Sequence, residues 1–119
     1  MSSQTAGQAA DANTSTKYQT DARKRLAETE NYCITEFTVS PGQQSPWHFH
    51  TSTSDLFYVL SGRLDLLLAE PTEVVALHAG QSHQIPCGRV HKFKAGEPGG
   101  ARYMLIQGVG KPDFVVVDR

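Results

Sequence analysis

From Tyr32 to Val117 the chain offers no long helical period. Its β-branched and aromatic residues instead come in runs of about four to eight, punctuated by glycine and proline. The runs are Tyr32–Val39, Trp47–His50, Leu56–Leu60, Arg63–Ala69, Thr72–Leu77, Ser82–Ile85, Val90–Lys94, Arg102–Gln107 and Phe114–Val117. Turns are expected at Ser40-Pro41-Gly42, Ser61-Gly62, Glu70-Pro71, Ala79-Gly80, Pro86-Cys87-Gly88 and across Gly96–Gly100. Short strands joined so closely leave no room for the crossover helices of a parallel α/β fold. They predict an all-β antiparallel sandwich or jelly-roll barrel.

The 119 residues suffice for one such domain and one site. Met1–Thr16 carries only its initiating Met as a large apolar side chain, so it cannot offset the entropy of ordering; we expect a flexible N-terminal arm. Lys17–Glu30 includes a helix-friendly piece around Asp21–Glu28 with too few apolar residues to stand alone, and reads as a connector over the barrel. The division is thus 1–30, disordered or arm-like, and 31–119, the barrel. A formal net charge of -1 argues against nucleic acid or an anionic membrane as partner and favours a small molecule. No long apolar run and no signal-like start are present, so the expected location is the cytoplasm, with Cys33 and Cys87 as free thiols.

His48 and His50 sit two apart on a predicted strand, so both side chains leave one face. Asp55 opens the next run, and His91 follows the Pro86-Cys87-Gly88 turn. Three imidazoles and a carboxylate suit one borderline first-row divalent ion: Fe(II), Mn(II), Co(II), Ni(II), Cu(II) or Zn(II). An isolated His-x-His pair is equally compatible with two hydrogen-bonded strand histidines.

The spacing around these residues is more specific. Gly42, five residues, His48-Phe49-His50, four residues, Asp55, six residues and Gly62 resembles the first cupin motif. Gly80, five residues, Pro86, one residue, Gly88, two residues and His91 resembles the second, with Arg63–Ala79 as the spacer. The resemblance implies a cupin double-stranded β-helix with metal ligands His48, His50, Asp55 and His91. Two positions depart from the pattern: Asp55 stands where Glu is usual, and Ala95 where Asn often closes the second motif. With one methylene fewer, Asp55 either binds the ion directly or accepts a hydrogen bond from a ligand or a bound water.

Strand alternation places Phe57 and Val59 on the face of Asp55, and Phe93 on that of His91. Phe57, Phe93, Tyr103 and Gln107 are candidate substrate contacts as well as core residues, and Asp55 and His83 are candidates for moving a proton. Cupins include dioxygenases, isomerases, decarboxylases, lyases, polyketide cyclases and non-catalytic sugar-binding and storage proteins, so the fold cannot choose among them. Three histidines with a loosely placed carboxylate lean toward Fe(II) and dioxygenase chemistry on a small, oxygen-rich chelating substrate. Lewis-acid chemistry and simple ligand binding are the alternatives. The resemblance and the outward apolar residues Leu56, Tyr58 and Leu60 point to a homodimer.

Overall fold

The computed structural model describes residues 18–119, and the arm expected over residues 1–16 lies outside them. Nine strands follow in order: β1 Ala22–Glu28, β2 Tyr32–Val39, β3 His48–Phe49, β4 Ser54–Leu68, β5 Glu73–His78, β6 Ser82–Ile85, β7 His91–Ala95, β8 Ala101–Gly108 and β9 Val115–Val116. Every pairing is antiparallel. One sheet runs β1-β2-β8-β4-β6 and the other β5-β4-β7-β3-β9. No helix among the described residues is long and apolar enough to cross a membrane.

β4 belongs to both sheets and joins them into a barrel. Residues Ser54–Gly62 pair with β8, and Asp55–Tyr58 also with β6. Arg63–Leu68 then pairs with β5, and Leu64–Leu68 with β7. The two apolar runs and the turn expected at Ser61-Gly62 are therefore one 15-residue strand. A register shift between Val59 and Ser61 inserts one residue, which moves the buried positions from odd (Asp55, Phe57, Val59) to even (Leu64, Leu66, Leu68). Both halves can thus face the same interior. Gly62 bends the chain at φ +80, and a Cβ there would lie 2.0 Å from the Gly100 carbonyl oxygen, so this position requires glycine twice over.

The interior is filled by Phe37, Phe57, Val59, Leu64, Leu66, Leu68, Phe93, Tyr103 and Leu105, each at most 4% exposed. The segment before Tyr32 differs from expectation. Ala22–Glu28 is an edge strand, paired with β2 from Ala22↔Thr38 to Glu28↔Cys33, and not a connector with helical leanings. It buries almost nothing, so main-chain hydrogen bonding holds it where an apolar pattern does not.

Gly62→Ala is expected to destabilise the fold by more than about 4 kcal/mol, because left-handed strain and backbone overlap act together. Gly80→Ala, at φ +85 with open space around it, should cost only about 1–2 kcal/mol. Denaturant unfolding of the two variants checks the difference.

Candidate metal centre

His48 on β3 and His91 on β7 are direct cross-strand partners, so their rings emerge side by side, with centroids 4.4 Å apart. His50 follows β3 by one residue, and Asp55, the second residue of β4, approaches from the other sheet. One ligand atom from each of the four residues lies within 4.8 Å of the others, and none of the four is more than 3% exposed.

Main-chain carbonyls fix how these rings present themselves. Nδ1 of His48 donates to Pro46 O at 2.8 Å, Nδ1 of His91 to Arg89 O at 2.7 Å, and Nδ1 of His50 to Asp113 O. A carbonyl only accepts, so each Nδ1 carries a proton, and each ring, when neutral, turns a lone pair on Nε2 inward. Asp55 Oδ2, itself an acceptor, faces Nε2 of His50 at 3.0 Å and of His91 at 3.2 Å. Acceptors aimed at one another in a buried site require a cation among them. Without an ion, a proton on His50 Nε2 would play that part. Burial pulls His50 down, but the hydrogen bond and charge of Asp55 outweigh it and leave its pKa raised. Burial opposes the charge on Asp55, yet the neighbouring His50 and His91 hold its carboxyl well below the usual range. His48 is pushed down to about 3, by burial first and His91 second, and so stays neutral. Three nitrogen donors and a carboxylate oxygen in this arrangement fit a first-row divalent ion.

The register also positions Asp55. Gln107 is its cross-strand partner on β8 and donates Nε2–H to Asp55 Oδ1 at 3.0 Å, while the Cys33 thiol on β2 contacts Gln107 Oε1 at 3.6 Å. The shorter side chain therefore still reaches the cluster, and its carboxylate is anchored through Oδ1. Gln107, a candidate substrate contact, is thus held by Asp55 through its amide nitrogen. Phe57, Phe93 and Tyr103 sit in the core beneath the site. The Tyr103 hydroxyl and that of Thr53 are buried with no hydrogen-bonding partner among the described residues. His83, opposite Phe57 on β6, is half-buried and outside the four-residue cluster.

Two aromatic residues at the centre come from segments that the sequence reading left unassigned to the site. Tyr18 bonds through its hydroxyl to His48 Nε2 at 3.2 Å, and the Phe114 ring lies 4.5 Å from that of His48. Burial, then the charge of Asp55, raises the Tyr18 pKa well above the ordinary phenol value, so the hydroxyl is a donor. Neither residue belongs to a spacing motif. Both arrive through chain segments that only the closed barrel brings over His48.

A family model described as Cupin domain (Cupin_2) matches residues 35–107. No curated protein sequence matches this one. Among solved structures, the polyketide cyclase RemF from Streptomyces resistomycificus is 27% identical with a TM-score of 0.71, over 82% of this chain and 70% of that one. A cupin-2 domain containing protein from Shewanella frigidimarina is 27% identical with a TM-score of 0.63, over 80% of this chain and 83% of that one. An uncharacterized conserved protein with a double-stranded beta-helix domain from Klebsiella pneumoniae is 22% identical with a TM-score of 0.72, over 82% and 84% of the two chains.

An ion bonded to His50 Nε2 displaces the proton held there. Zn(II) uptake by chelator-treated protein should release a proton near about pH 6, and progressively less as pH rises through the elevated His50 value. Calorimetry in buffers of different ionisation enthalpy reads this; release that does not vary with pH would contradict it. Gln107→Leu removes the anchor of Asp55 and should weaken Zn(II) binding by about 10–100-fold in a competition titration.

Proposed function

Because the chain belongs to the cupin-domain family, we propose that it is a metal-dependent enzyme acting on a small, oxygen-rich substrate that chelates the ion, in redox-neutral chemistry of the lyase, isomerase or cyclase kind. The observation that carries the reading is the fixed tautomer of three histidines, which aims three Nε2 lone pairs and Asp55 at one buried point. The ion, when bound, supplies a Lewis acid that polarises a substrate oxygen. The protein's own residues do the rest. Main-chain carbonyls orient the rings, Gln107 holds Asp55, and Phe114 and Tyr18 keep water from His48. The Tyr103 hydroxyl, without a partner among the described residues, is a donor for a substrate or water oxygen. In this reading His83, half-buried on β6 and outside the ligand set, is the group left to move a proton, since Asp55 is committed to Gln107 and the ion.

A loosely placed carboxylate would favour dioxygenase chemistry at Fe(II). Asp55 is anchored, which removes that ground. The 27% identity to a polyketide cyclase further supports a redox-neutral reaction on an enolisable or phenolic substrate.

The test is to reload chelator-treated protein separately with Fe(II), Zn(II), Mn(II) and Ni(II), and to assay enolisable keto acids and polyphenols with an oxygen electrode in the cell. The expected result is turnover with at least one ion, without oxygen consumption, and lost in His48→Ala and His91→Ala. Oxygen uptake in step with product would return the dioxygenase reading. Saturable binding with no product would make the protein a binding module.

A further inference from the structure

Tyr18 lies ahead of β1, and its position is tightly determined. Gln19 N donates to Gln44 O at 3.0 Å, Gln44 N donates back to Gln19 Oε1 at 3.1 Å, and Asp21 N donates to Thr38 O at 2.9 Å. The Tyr18 ring packs against Phe93 at 5.2 Å, Phe114 at 5.4 Å and Phe37 at 5.8 Å, which directs the hydroxyl at His48 Nε2. That nitrogen has one lone pair, which cannot serve both a phenol and an ion. When an ion takes it, the half-buried phenol loses that partner and is free to donate elsewhere.

The main-chain and carboxylate acceptors that hold the ligand side chains are already committed. The carbonyls of Pro46, Asp113 and Arg89 accept from the three Nδ1–H groups, Asp55 Oδ1 accepts from Gln107, and Asp55 Oδ2 and the remaining Nε2 atoms face the ion position. None of these is free to accept from Tyr18, whereas an oxygen of a ligand sharing the ion with His48 would be. We propose that Tyr18 is a ligand-binding residue of the centre, donating its hydroxyl to a carboxylate or enolate oxygen that shares the ion with His48. This rests on the metal-centre reading above. It makes the segment before β1 part of the site and assigns an oxygen-donor anion as the class of ligand it selects.

The experiment uses the full chain loaded with Co(II), titrated with acetate and followed by the visible Co(II) spectrum, in wild type and Tyr18→Phe. The variant keeps the ring contacts and removes only the hydroxyl. Its Co(II) affinity should equal or exceed that of wild type, since a competitor for Nε2 is gone, while its acetate affinity should fall about tenfold. Unchanged acetate affinity overturns the proposal. So does a parallel loss of Co(II) and acetate binding, which would mark Tyr18 as structural. A phenolate charge-transfer band in the Cu(II)-loaded wild type that vanishes in the variant would make Tyr18 a direct ligand and also overturn it. If the wild type takes up no Co(II), the metal-centre reading fails and this proposal fails with it. Should the variant not fold, wild type carrying 3-fluorotyrosine gives a second reading: acetate must shift one fluorine resonance, and no shift overturns the proposal.

Discussion

The bonds from three histidine Nδ1–H groups to main-chain carbonyls are the constraint on which the centre depends. Each is worth only about 1 kcal/mol in isolation. Together they settle which nitrogen of every ring faces inward, and so convert three buried imidazoles into a set of converging lone pairs. The carbonyls belong to Pro46 before β3, Arg89 before β7 and Asp113 before β9. These strands are neighbours, since β3 pairs with both β7 and β9. The chemistry of the site is thus set by the same strand order that closes the barrel.

Asp55 enters from the other sheet, and β4 is what makes that possible. Its first half carries Asp55 opposite Gln107, and its second half runs beside β7, where Leu68 pairs with His91. The inserted residue near Leu60 and the left-handed bend at Gly62 let one strand serve both sheets with its apolar residues always inward. Without that change of parity, either Asp55 or the Leu64-Leu66-Leu68 series would face outward.

Much of this was legible in the residues. The period of two placed Phe57, Val59 and Phe93 inside, β2 and β6 fall where their runs began and ended, and His48, His50, Asp55 and His91 converge as their spacing suggested. What escaped had physical reasons. β1 is an exposed edge strand rich in charge, held by pairing with β2, so it leaves no alternating signature. The break read at Ser61-Gly62 is a real bend, but pairing on both sides carries the strand through it. The anchoring of Asp55 by Gln107 depends on a register between residues 52 positions apart, and the placement of Tyr18 against His48 on a separation of 30. Contacts of that range follow from the closed fold and leave no mark in local spacing.

The barrel alone supports many chemistries, so the donor set is the part of the account that must hold. X-ray absorption at the metal edge of the Zn(II)- or Co(II)-loaded protein counts those donors directly. The shell should hold three imidazole nitrogens and the remainder oxygen, and lose one imidazole in His91→Ala. A bound ion with fewer than three imidazoles, or a shell unchanged by that substitution, would contradict it.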